Sequence, residues 1–195
     1  MKRIIRFKTG FGLVMAILLI ALAPQALTAK TEGSAKSAST TQSYSQLSKQ
    51  VRKRLVSLPY YGVFDNLAYS IDGSRVTLHG EVVRPSTRSD AERSVRRIEG
   101  VSQVINNIRV LPLSSFDDSI RVSTYRALNR TGGLYRYFMG ANPSVHIIVD
   151  RGNVTLTGMV GSKMDRQLAY TAARGVSGAF SVTNKIQVEG ENEAW

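Results

Sequence analysis

The sequence predicts an α+β fold made of two tandem α-β-β-α-β units, each a small mixed sheet with two helices on one face. Three observations lead there. Residues 72–110 lie on residues 150–188 at a constant offset of 78 with no gap, and 14 of the 39 aligned positions are identical. Within each copy the apolar period switches from that of a helix to that of a strand and back. The shared residues are mostly Val, Ile, Leu, Ala and Gly, so what is repeated is a scaffold and not the parts of one composite catalytic site.

The first unit opens with Leu47, Val51 and Leu55, one apolar stripe at helical spacing among Lys49, Arg52, Lys53 and Arg54, stopped by Pro59. Residues 67–71 alternate at period two, Asp72-Gly73-Ser74 has turn chemistry, and Val76 to Val82 reads as a second strand, so the pair forms a hairpin. Residues 86–90 follow Pro85 with helix-start side chains. Ala91, Val95 and Ile98 then form a stripe that ends at Gly100. Val104, Ile108 and Val110 mark the last strand. Strand, helix and strand in succession favour a parallel pair joined by a right-handed crossover.

The second unit repeats this order. Ser115-Phe116-Asp117-Asp118 resembles a capping box, and Phe116, Ile120 and Leu128 follow on one face. Residues 146–149 and 154–160 flank the turn Asp150-Arg151-Gly152-Asn153. Ser162 is placed to cap a helix carrying Ala169, Ala173 and Val176, and residues 182–188 close the unit. Val51 and Asp72 are 21 residues apart, whereas Ile120 and Asp150 are 30 apart, so the second unit carries an insertion of about nine residues within 130–144. Units of this size have small cores, so the two are expected to pack against each other.

The chain ends bound the setting. Lys2, Arg3, Arg6 and Lys8 precede an uncharged apolar run of 13 residues, 11–23, and a small-residue end at Ala29. That pattern reads as a secretory signal cleaved near Ala29, the alternative being an uncleaved anchor; a spanning helix needs about 20 apolar residues. With no Cys the chain cannot be a lipoprotein attached through a cleavage-site thiol, and disulfide chemistry is excluded. Residues 30–45 are polar, with Tyr44 as their one large apolar side chain, and read as a flexible linker. The net charge is +12, or +8 without the four N-terminal basic residues. For an exported protein this favours anionic lipid, wall polymers or acidic proteins as partners and disfavours nucleic acid.

Two segments carry a family resemblance. Val76-Thr77-Leu78-His79-Gly80 recurs as Val154-Thr155-Leu156-Thr157-Gly158. Gly100, Val104, Asn106, Ile108 and Val110 recur as Gly178, Val182, Asn184, Ile186 and Val188, with Ala179 where Val101 stands in the first copy. The chain thereby resembles the BON domains of osmotically inducible periplasmic proteins, over residues 46–112 and 115–189. The resemblance implies the α-β-β-α-β fold, an association with phospholipid and envelope integrity, and no catalytic motif.

The candidate lipid-binding residues are those of the insertion and its approach: Arg126, Arg130, Leu134, Tyr135, Arg136, Tyr137, Phe138 and Met139. Aromatic rings beside Arg suit a membrane interface, where one end of a group is apolar and the other wet. Three Arg contribute roughly 3 kcal/mol near an anionic surface, so one or two apolar side chains must also insert. The competing reading places some of these aromatics in the core, as Tyr60, Tyr61 and Phe64 of the first unit would be. Asn106 and Asn184 are expected to make structural hydrogen bonds. His79 and His146 lack the clustered ligands of a metal site, no nucleophile motif is present, and no cofactor is implied. Gly175-Val176-Ser177-Gly178 matches the G-x-x-G of nucleic-acid clamps only in form, since it lies between a helix and a strand. The expected function is therefore non-enzymatic: an exported envelope protein held peripherally on anionic phospholipid by its second unit. The alternatives are a periplasmic protein–protein scaffold or chaperone-like stress protein and, more distantly, a wall-polymer binder.

Overall fold

The computed structural model describes residues 32–140 and 142–190, with side chains from residue 44 onward. The export signal expected from the sequence therefore lies outside the described residues. Among these, no helix is long and apolar enough to cross a membrane.

Helix α1 (Glu32–Val56) leads into strands β1 (Asn66–Asp72) and β2 (Arg75–Val82), helix α2 (Pro85–Arg96) and strand β3 (Gln103–Val110). The second unit follows with α3 (Ser115–Arg130), a short 3-10 helix (Leu134–Tyr137), β4 (Val145–Asp150), β5 (Asn153–Val160), α4 (Lys163–Arg174) and β6 (Ser181–Val188). Each unit has a three-stranded sheet, β1-β2-β3 or β4-β5-β6, antiparallel in its hairpin and parallel across its crossover. The registers are the same at the offset of 78: Val76 faces Val104 as Val154 faces Val182.

Helix α1 begins inside the stretch read as a linker. Once the stripe of Leu47, Val51 and Leu55 docks, Ala, Ser, Lys and Gln can extend the helix at small cost per residue. The cap of α3 is Ser114, one residue before the box read from the sequence: its hydroxyl accepts the Asp117 N–H at 3.2 Å. Ile120 and Leu128 are buried, but Phe116 is 46% exposed. Asp117 is buried instead, and its carboxylate accepts the N–H groups of Arg151 and Gly152 at 2.9 and 2.8 Å. It thereby holds a two-residue turn in which Arg151 takes the left-handed conformation (φ 52°).

The repeated Asn residues do what their strand setting suggested. Asn106 donates to the Arg88 carbonyl and accepts the Ile108 N–H, at 3.1 and 3.2 Å. Asn184 repeats both bonds with Arg166 and Ile186, at 3.1 Å each. Each Asn ties the last strand of its unit to the crossover helix.

The units pack against each other, through edge β1 and the loop before it. Val63 and Phe64 join the core of the second unit, and Phe64 meets Tyr125 edge-on at 6.2 Å. The Ile147 N–H donates to the Val63 carbonyl at 2.8 Å. Strand β4 is consequently buried on both faces, whereas β1 is buried on neither as fully. The loop thus covers an edge that would otherwise be open to pairing with another chain.

His146 sits in this seam with both ring nitrogens near partners, Nε2 3.3 Å from the Tyr61 hydroxyl and Nδ1 3.3 Å from the Gly62 carbonyl. A neutral ring satisfies both, with Nδ1–H donating and Nε2 accepting. Burial lowers the pKa of His146 from its ordinary 6.5, and burial pushes the Tyr61 phenol up to about 12. Because the folded value of the imidazole lies below the unfolded one, its stabilising effect is complete above the unfolded value. It is lost as pH falls through 6.5 toward the folded value. Burial raises the pKa of the neighbouring Asp65 carboxyl, so its contribution to stability runs in the opposite sense. The thermal midpoint should therefore fall on acidification just below 6.5, and His146→Gln should remove that step. An unchanged profile in the variant would place the titration elsewhere.

Candidate lipid-facing site

The insertion is pinned to the start of α4. Ser162 caps that helix, its hydroxyl accepting the Asp165 N–H at 3.1 Å. The buried Asp165 carboxylate accepts from the Ser162 hydroxyl at 2.7 Å, the Tyr137 hydroxyl at 2.9 Å and the Arg136 guanidinium at 2.8 Å. Those partners, Ser162 first, hold its pKa below the usual carboxylate range. The Tyr137 oxygen in turn accepts the Gly161 N–H at 2.9 Å, and Arg136 lies over the Tyr137 ring, 4.7 Å from its centroid. In the first unit the equivalent N–H, that of Val83, goes to Asp65 at 2.8 Å. The two copies satisfy one backbone donor with unrelated side chains, so the insertion has replaced an internal cap.

The eight candidate residues divide accordingly. Leu134 and Phe138 are core residues, 1% and 7% exposed, and Phe138 meets Tyr125 edge-on at 5.8 Å. Their burial removes them from any lipid-facing surface. Tyr137 is half-buried and occupied with the latch. Tyr135 and Met139 are exposed, at 53% and 64%. Arg126 and Arg130 are exposed on α3 and enter no ion pair among the described residues, whereas the charge of Arg136 is balanced by Asp165. The unbalanced charge of this set is therefore two Arg, about 2 kcal/mol at an anionic surface. Apolar insertion must supply the rest.

Met164, 67% exposed, stands in the first turn of α4 next to the latched Asp165 and adds a second thioether at this end of the unit. It was legible in principle, since it falls off the Ala169 and Ala173 stripe. A second exposed apolar pair lies by the β4–β5 turn. Phe116 and Phe180, the latter 73% exposed, have ring centroids 5.7 Å apart. The first unit has Ser102 where Phe180 stands, bonded to the Ser74 hydroxyl at 2.6 Å. No group of three or more His, Cys, Asp or Glu among the described residues is placed to hold a metal ion.

A family model described as BON domain matches residues 43–112 and again 117–190. No curated protein matches the sequence. Among solved structures, the chain is similar to the C-terminal domain of CdsD, a structural protein of the type III secretion system of Chlamydia trachomatis. The two are 12% identical, with a TM-score of 0.29, covering 72% of this chain and 63% of that one. A second structure of CdsD from that system is 10% identical with a TM-score of 0.28, covering 72% of this chain and 91% of the other. This chain thus spans less than two thirds of the length of the first. BON-domain proteins are typically periplasmic or envelope-associated, and with two matched segments over most of its length this chain belongs to the BON domain family.

Proposed function

We propose that this chain is a non-enzymatic, exported envelope protein that docks peripherally on anionic phospholipid and supports envelope integrity or the stress response. The contact is the end of the second unit where the insertion meets α4. The observation that carries this reading is the exposure of Tyr135 and Met139 on a segment latched by Asp165, with the unbalanced Arg126 and Arg130 on the adjoining helix. A latched aromatic loses little freedom on inserting, and its hydroxyl can stay at the headgroups. Two basic groups and two or three shallow apolar side chains give weak, salt-sensitive binding.

The test is co-sedimentation of the exported chain with zwitterionic vesicles and with vesicles containing anionic lipid, at low and high salt. The variant is Tyr135→Ser/Met139→Ser, because truncating Phe138 would disturb the core. Anionic-only binding that falls about tenfold or more in the variant is the expected result. Binding that is absent, or equal in the variant, would sink the site. A second reading, a protein scaffold, is favoured by the Phe116–Phe180 pair. It would be supported if Phe116→Ser/Phe180→Ser abolished a protein association while vesicle binding persisted.

A further inference from the structure

The seam between the units is flanked by two clefts, one with its charges balanced and one lined by cations alone. One, about 430 Å³, contains Arg109, Lys185, Glu81 and Asp150. It neutralises itself: Arg109 bonds Asp150 at 2.6 Å and lies 3.8 Å from Glu81. The other, about 610 Å³, is lined by Arg52 and Lys185, and no Asp or Glu is among the described residues that line it. Lys185 stands between the two clefts and lines both, beside Glu81 and Asp150 in the first and opposite Arg52 in the second; neither Arg52 nor Lys185 enters an ion pair among the described residues, and both are exposed.

The second cleft has a definite construction. Its floor is the helix-free face of the second sheet, where His146, Thr157 and Lys185 form one row across β4, β5 and β6, with Met159 and Gln187 in the next. Its opposite wall is α1 and β1 of the first unit, which contribute Arg52, Leu55, Val56 and Leu67. Pro143 and Ser144, from the end of the insertion, close the rim. Cations thus approach from different units over a largely apolar lining, and the volume falls in the range of small-molecule sites. A cleft lined by two cations and by no carboxylate selects an anion, and Leu55, Val56, Leu67 and Met159 offer nothing to the polar part of one.

We propose that this inter-unit cleft binds a single-chain anionic amphiphile, a phosphate or carboxylate head on an alkyl body, with the head between Arg52 and Lys185 and the alkyl body against Leu55, Val56 and Met159. The site exists only when both units are docked, so occupancy stabilises their mutual arrangement. It is separate from the lipid-docking end of the second unit, and either can fail without the other.

Isothermal titration calorimetry of the exported chain would use octyl phosphate and octanoate below their micelle concentrations, with inorganic phosphate and octanol as comparisons. The expected result is one site for octyl phosphate and octanoate, with inorganic phosphate and octanol each at least about tenfold weaker. Arg52→Gln and Lys185→Gln should each weaken octyl phosphate about fivefold to tenfold, the loss of one charge-assisted contact. Both side chains are exposed, so neither variant should unfold the chain, which the circular dichroism spectrum would verify. Tyr135→Ser/Met139→Ser should bind octyl phosphate like the wild type, which separates this site from the vesicle contact. Equal affinity for inorganic phosphate, equal affinity for octanol, or binding unaffected by both charge variants would each overturn the proposal.

Discussion

Gly80→Ala is expected to destabilise the chain by roughly 3 kcal/mol or more, the largest effect of any one-carbon addition considered for this fold. Gly80 has φ +118° in one unit and Gly158 has φ +117° in the other. An added Cβ would lie 2.0 Å from the backbone oxygen of Asn66 or of Ser144, respectively. The neighbour is backbone held in a strand pair, with Leu67 opposite Gly80 and Val145 opposite Gly158, so it cannot rotate away as a side chain would. Gly100→Ala separates the two causes. Gly100 also has a positive φ, +90°, but an added Cβ meets nothing within 4 Å, so only conformational strain of about 1 kcal/mol remains. Urea unfolding of both variants reads the difference directly. Equal losses would mean that the close approach contributes nothing.

Asp165→Ala should cost about 2 kcal/mol and weaken vesicle binding in the same protein. Removing the carboxylate strands the hydroxyls of Ser162 and Tyr137 and the Arg136 guanidinium, all of which it accepts from. It also takes a negative charge from the first turn of α4, where the helix dipole favours one. Freed of its latch, the segment bearing Tyr135 and Met139 must be ordered on binding, and affinity falls by that cost. Arg136 would at the same time lose its counter-charge, which raises attraction to anionic vesicles at low salt. The measurement that decides is therefore vesicle binding at high salt, where the ordering cost stands alone. Undiminished binding there would show that the latch does not prepare the site.

The division of the candidate residues follows from what each kind of pattern can report. Ile120 and Leu128 were legible as core because helical spacing fixes which residues share a face. Phe116 shares their spacing but stands in the first turn of α3 against the exposed Phe180, and spacing does not report where along a helix the core ends. Within 130–144 no period exists to sort Leu134 and Phe138 from Tyr135 and Met139. The 3-10 turn and the Asp165 latch do the sorting, and the latch joins residues 28 and 29 apart in sequence. The inter-unit cleft had no sequence signature at all. Arg52 reads as one member of a basic helix face and Lys185 as one outward residue of a strand.

The repeat, the order of helices and strands and both hairpins were determined by the sequence alone, because those features rest on local periodicity, on turn residues and on an internal copy that repeats them at a constant offset. The tertiary structure alone decided that the loop at 61–65 is a seam, that β4 is buried on both faces, and that two cations share one cleft. Each of these depends on how one unit meets the other. The contacts that set that meeting, Val63 to Ile147, Tyr61 to His146 and Arg109 to Asp150, join residues far apart in the chain and have no counterpart within either repeat.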